Sequence, residues 1–190
     1  MKLLKTRILK DGEIITDQIL RVDSFLNHQI DPELIDEIAS EFSYKFSDNK
    51  FNKILTVESS GIAPAVMTGL KLSIPVVFAK KNKPSTIVEN TYNATVHSYT
   101  KNSDYDISVS TKYIKRSDHI LIIDDFIANG SAARALVSIA EQGGAKVGGI
   151  GIIIEKGFQN GGKLLREMGY HIISLAVIES MTGNKIQFRE

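Results

Sequence analysis

The sequence predicts an α/β fold in which a mostly parallel sheet is covered on both faces by helices, and three observations carry that expectation. Short unbroken apolar runs recur at 53–58, 75–79, 120–123, 147–156 and 172–178, a pattern that suits strands buried on both faces. They alternate with segments of helical spacing at 32–46, 63–72, 132–140 and 164–168. Small-residue turns such as 59–61 and 127–131 join a run to the helix after it, so βαβ units form and ligands gather at the carboxyl ends of the strands.

From the N-terminus, residues 2–10 read as a short amphipathic helix with Leu4, Ile8 and Leu9 on one face, closed by the turn Asp11-Gly12. Apolar density from Ile14 to Val22 lacks clean periodicity and reads as an irregular cap. Asp31-Pro32 is a helix start, with an N-cap acid and proline in the first turn, and Leu34, Ile35, Ile38, Ala39, Phe42 and Phe46 line one face. The strand at 75–79 is expected to end at Lys80 and Lys81. The polar region 82–116, with β-leaning alternation on either side of 100–104, predicts a protruding hairpin placed as a lid. Gly143-Gly144 stops the helix after 131, and 185–188 reads as a terminal edge strand.

With 190 residues, 43% hydrophobic and 24% charged, the chain is expected to form a single domain spanning 1–190. A net charge of +1 gives no footprint for non-specific nucleic-acid or membrane-surface binding. The absence of cysteine excludes disulfides and thiolate metal sites. No signal peptide or bilayer-spanning run is read, so a cytoplasmic location is the expectation.

The stretch 120–134 concentrates the chemistry. Its apolar run is expected to surface at Asp124 and Asp125, and the small-residue turn that follows leaves the first amides of a helix free for an anion such as phosphate. Two acids beside a phosphate site would repel it unless they hold its neighbour, such as sugar hydroxyls or a metal; the alternative is a solvated strand end. Ser59-Ser60-Gly61 reads equally as a helix cap, Lys80-Lys81 as a solvated basic run, Lys156 as a surface lysine and Asn27 as a turn residue. Gly157 to Leu164 approaches a nucleotide-triphosphatase P-loop but has Leu164 in place of the metal-binding hydroxyl, and Gly149-Ile-Gly151 is better explained by close helix packing than by dinucleotide binding. The four histidines are scattered, with no metal-ligand spacing and no nucleophile elbow.

Stretch 120–134 also resembles the phosphoribosyl pyrophosphate signature of the type I phosphoribosyltransferases: four apolar residues, two acids and a small-residue loop. The resemblance implies Asp124 and Asp125 near the ribose hydroxyls as the catalytic acids. It puts the backbone of Ala128, Asn129, Gly130, Ser131 and Ala132 around the sugar's 5-phosphate, although many members carry Thr where Asn129 stands. In similar transferases the loop matching Ser59 and Ser60 holds pyrophosphate, and a basic residue after the next strand, here Lys80 or Lys81, reaches the same group. Together with 22–32 and 58–70, the stretch is similar to the bacterial xanthine phosphoribosyltransferase branch, over nearly the whole chain and most weakly in 84–118 and past Met181.

That branch implies a base site lined by Leu20 and Asn27, with Lys156 donating to a base oxygen. An ammonium presents only donors and so favours a 6-oxo purine over adenine, while Asn27 is the candidate for choosing xanthine over guanine. The implied reaction joins xanthine to phosphoribosyl pyrophosphate, giving xanthosine 5'-monophosphate and pyrophosphate. Mg2+ would arrive on the substrate's phosphates with no dedicated protein metal site. A homodimer, and a small hood built from about 1–30 and parts of the C-terminus, are also implied. A hypoxanthine-guanine or adenine transferase, and a non-catalytic purine-responsive regulator of the same fold, stay open; no basic recognition helix is seen, and about thirty residues before Pro32 are too few for the regulator's added domain.

Overall fold

The computed structural model describes residues 1–82, 90–98, 103–183 and 185–190. Its centre is an eight-stranded sheet ordered β10-β9-β8-β7-β3-β4-β6-β5. The strands in chain order are β3 (Lys53–Val57), β4 (Val76–Asn82), β5 (Thr91–Ser98), β6 (Ser103–Ser110), β7 (His119–Ile127), β8 (Lys146–Lys156), β9 (Ile172–Thr182) and β10 (Lys185–Phe188). From β9 to β4 neighbouring strands run parallel, and antiparallel strands close both edges. A separate two-stranded hairpin, β1 (Glu13–Thr16) with β2 (Ile19–Arg21), stands near the N-terminus.

Among the described residues there are five α-helices: α1 (Lys2–Asp11), α2 (Pro32–Lys45), α3 (Ile62–Leu72), α4 (Ser131–Gln142) and α5 (Gly161–Glu167). One core cluster packs α1, α2 and α3 on Ile54, Leu121, Ile123 and Ile153 of the sheet. The other packs α4 on Leu55, Ile120, Ile122, Ile150 and Ile152. Consecutive residues of β3 and β7 thus feed opposite cores, the alternation a doubly covered sheet demands. Asp31 caps α2 as expected, its Oδ1 accepting from the amides of Glu33 and Leu34 at 3.1 and 3.2 Å. The β8 glycines make room for α2: a Cβ on Gly149 would lie 2.7 Å from the Phe46 ring and one on Gly151 3.0 Å from that of Phe42. Close packing is therefore their role.

Four expectations are corrected. The segment after Gly12 is no irregular cap: it forms the β1–β2 hairpin and a one-turn π-helix, Asp23–Asn27, that buries Phe25 and Leu26. Lys80 and Lys81 do not follow β4 but lie within it, paired with Ser108 and Ile107 of β6. The hairpin does not merely protrude, because β6 and β5 extend the sheet beyond β4 and bury Val96, Ile107 and Val109 against the α4 side. Polar alternation hid this, since an edge hairpin with one wet face buries only every second residue. Of the expected lid, about 82–116, residues 83–89 and 99–102 lie outside the described residues, as does residue 184. Finally, Asp124 and Asp125 do not surface, being 4% and 8% exposed inside β7. Among the described residues no helix is long and apolar enough to cross a membrane.

Candidate active site

The buried acids follow from unequal strand lengths. The ladder between β3 and β7 ends at Leu55 opposite Ile122, whereas the β8 ladder continues past Asp124 opposite Ile152 to Ile127 opposite Glu155. β7 therefore outruns β3 on one side, and its carboxylates stand over the place where β3 turns into α3. That turn is tight. A Cβ on Gly61 would lie 2.1 Å from Thr56 Oγ1, 3.1 Å from the Val57 carbonyl and 3.3 Å from Asp124 Oδ1. The Glu58–Ser59 peptide bond is cis, Ser59 is exposed, and Ser60 is half-buried beside the glycine.

Burial pushes the Asp124 carboxyl well above its ordinary value, and the neighbouring charge of Asp125 raises it further, while the Lys81 ammonium pulls it back. Asp124 Oδ1 accepts from the Asp125 amide at 3.0 Å. Lys81 is drawn to this end of the sheet by its own amide, which donates to Glu58 Oε1 at 2.6 Å, and its ammonium lies 5.4 Å from the centre of the Tyr105 ring. Lys80, one residue earlier, projects to the opposite face by strand alternation. Tyr105 was not read from the sequence. The hairpin's place in the sheet sets its phenol near the acids, and burial, then Asp124 and Asp125, raises its pKa.

Loop 128–130 enters α4 through Gly130, whose φ of 78° is left-handed, a conformation glycine adopts without the Cβ penalty. Asn129 Oδ1 accepts from the Ser131 amide at 2.9 Å, and the Asn129 carbonyl accepts from Arg134 Nη1 at 2.8 Å. The Ala128 carbonyl accepts from the Gly161 amide at 3.0 Å. The carbonyls of the loop are thus tied back into the protein, and the first-turn amides of α4 are left with no helical acceptor.

A cleft of about 840 Å3 opens beside this loop, walled by Ala128, Asn129, Ala132, Phe126, Lys156 and the hairpin residues Gln18 and Ile19. Lys156, the last residue of β8, lies 5.7 Å from the centre of the Phe126 ring and donates to the Gln18 carbonyl at 2.7 Å. Burial lowers its pKa. Neither Leu20 nor Asn27 is among the residues lining this cleft. The Leu20 side chain is core, facing Gly12, while Asn27 closes the π-helix with its Oδ1 buried and lacking a protein partner. Among the described residues no cluster of three or more His, Cys, Asp or Glu side chains is placed to hold a metal.

No family model matches the chain. It is 50% identical over 190 residues to a xanthine phosphoribosyltransferase of Oceanobacillus iheyensis, covering 100% of this chain and 98% of that one. A xanthine phosphoribosyltransferase of Bacillus cytotoxicus is 53% identical over 188 residues, covering 99% and 95%. The chain belongs to the xanthine phosphoribosyltransferase family. Solved structures agree on the fold: adenine phosphoribosyltransferase of Giardia lamblia, complexed with 9-deazaadenine, superposes with a TM-score of 0.75 at 16% identity, covering 92% of this chain and 96% of that one. The Saccharomyces cerevisiae adenine enzyme gives 0.71 at 19% identity, covering 92% and 99%. The α/β architecture of type I phosphoribosyltransferases is therefore shared between this chain and these adenine enzymes.

Proposed function

We propose that this chain catalyses transfer of the phosphoribosyl group from phosphoribosyl pyrophosphate to xanthine, giving xanthosine 5'-monophosphate and pyrophosphate. The observation that carries the reading is the buried acid pair Asp124–Asp125 next to a helix-start loop whose carbonyls are tied back, with the Ser131 amide turned to Asn129 Oδ1 and the amides after it in the first turn of α4 without a helical acceptor. Near-full-length identity to relatives named for this activity supports the choice of base.

A ring nitrogen of the base forms a bond to the anomeric carbon as the bond from that carbon to pyrophosphate breaks. Positive charge grows on the ribose, and the acid pair supplies negative potential and acceptors for its hydroxyls. The loop 128–132 holds the 5-phosphate on the α4 amides, where the helix dipole adds to the attraction. Lys81 and the amides around Ser59 and Ser60 meet the pyrophosphate. Lys156 exchanges its bond to the Gln18 carbonyl for one to a base oxygen, and Phe126 offers its ring to the base. The buried, unpartnered Asn27 Oδ1 suits an acceptor awaiting a base N–H, reached through closure of the hood.

Mg2+ is part of this reading. Burial and the neighbouring charge of Asp125 oppose ionisation of Asp124, a setting that a nearby cation would favour, and Mg2+ would be held by the substrate's phosphates with no dedicated protein site. When bound on phosphoribosyl pyrophosphate, it neutralises the leaving group. A cytoplasmic homodimer belongs to the same reading through the family resemblance.

Incubation with phosphoribosyl pyrophosphate, Mg2+ and xanthine, guanine, hypoxanthine or adenine in turn tests it. The expected result is nucleotide from xanthine, with 6-oxo purines ahead of adenine. A preference for adenine, or no product from any base, refutes it.

A further inference from the structure

The double glycine Gly161-Gly162 belongs to the segment that approaches a P-loop without its metal-binding hydroxyl, and the phosphoribosyl transfer assigns it no contact. Its place in the fold gives it another role. The Gly161 amide donates to the Ala128 carbonyl at 3.0 Å, and a Cβ added at Gly161 would lie 2.4 Å from the Gly130 nitrogen and 2.5 Å from both the Ala128 oxygen and the Asn129 carbonyl carbon. The start of α5 is thus pressed backbone-to-backbone against loop 128–130, from behind.

What holds α5 there is an ion pair between a buried carboxylate and a partly exposed arginine. Glu155 of β8, 3% exposed, accepts from Arg166 of α5 through two bonds, Nη1 to Oε1 at 2.8 Å and Nη2 to Oε2 at 2.7 Å, and from the Ser174 hydroxyl of β9. Gly162 admits this clamp, since a Cβ there would lie 2.2 Å from Glu155 Oε1 and 2.8 Å from Arg166 Nη1. A two-bond fork fixes direction as well as distance. Sheet, ion pair, helix start and loop form one rigid stack, and Glu155 is the residue before Lys156.

We propose that Gly161, held by the Glu155–Arg166 clamp, is a positioning residue for the phosphoribosyl-phosphate loop: α5 is the wall that aims the amides of 128–132 at the 5-phosphate. The inference rests on the transferase reading and deepens it. An alanine methyl at Gly161 displaces the loop, and a misplacement of about 1 Å at a reacting site costs on the order of 100-fold.

Gly161→Ala and Arg166→Lys, which keeps a charge but loses the fork, are to be compared with the wild type by steady-state kinetics in both substrates, with thermal melting in parallel. The expected result is a rise in KM for phosphoribosyl pyrophosphate of on the order of 10-fold or more for Gly161→Ala and a smaller rise in the same direction for Arg166→Lys, with KM for xanthine unchanged. Should Gly161→Ala fail to fold, the KM split in Arg166→Lys decides alone. A lowered melting temperature with both KM values unchanged, or equal rises for both substrates, overturns the proposal and leaves the transferase reading standing. A wild type that forms no nucleotide overturns both.

Discussion

Asp124→Asn separates the catalytic from the structural meaning of the acid pair. Asp124 is 4% and Asp125 8% exposed, and burial followed by the charge of Asp125 holds Asp124 well above its ordinary value of 3.8. The unfolded chain therefore gives up this proton at lower pH than the folded one, so the native state loses stability as pH rises from 3.8 through the folded-state value. Asparagine keeps the Oδ1 that accepts from the Asp125 amide at 3.0 Å and removes the repulsion. Relief of this kind commonly adds roughly 0.5–2 kcal/mol, which for a domain of this size is about 1–8 °C in melting temperature. Turnover should fall on the order of 100- to 1,000-fold, as when a preorganised electrostatic group is taken from a transition state. Melting curves across the pH range, beside initial rates with saturating xanthine, check both halves. The stability gain should grow as pH rises above 3.8 and vanish towards that value. A variant that melts lower than wild type at neutral pH, or keeps turnover within about threefold against the 100-fold expectation, refutes the reasoning.

Three further outcomes follow from the same geometry. Lys156→Met keeps the packing on Phe126 but removes every donor, so kcat/KM for xanthine should drop by about 1.5–3 kcal/mol, roughly 10- to 150-fold, with adenine use unaffected; equal losses for all bases would make the lysine structural. Gly61→Ala places a methyl 2.1 Å from Thr56 Oγ1, and overpacking there should cost about 1–3 kcal/mol in urea unfolding and raise KM for phosphoribosyl pyrophosphate; an unchanged midpoint would show that the turn yields freely. At Glu155 burial acts to raise the pKa, but the Arg166 bonds, the Ser174 hydroxyl and the Arg166 charge outweigh it and hold the carboxyl below 4.5. Its stabilisation is present above that value and lost as pH falls through the folded-state value, so the advantage of wild type over Glu155→Gln, about 3 kcal/mol or less given the partly exposed arginine, should shrink in urea titrations below pH 4.5; a constant gap down to pH 3 would contradict the clamp.

What the sequence determined by itself is local in origin. Unbroken apolar runs announced the buried parallel strands, the Asp31-Pro32 signal announced α2, and Asp-Asp followed by a small-residue loop announced an anion site and carried the family resemblance that implied the transferred group, because each depends on neighbours in the chain. The tertiary structure alone decided the rest. The depth of Asp124 and Asp125 depends on β7 outrunning β3, and carboxylates in sequence normally mark a surface. The approach of Tyr105 and Lys81 to them depends on β6 joining β4, a pairing that alternation does not specify. Leu20 turned inward as core beside Gly12, a choice set by the register of the β1–β2 hairpin. Gly161 and Gly162 were legible only as part of an incomplete P-loop and Glu155 and Arg166 carried no readable signal, since two glycines and an ion pair 11 residues apart acquire their meaning only when α5 is laid against the loop. Periodicity and turn chemistry reach a few residues along the chain, whereas burial and charge coupling are properties of surfaces brought together from different strands.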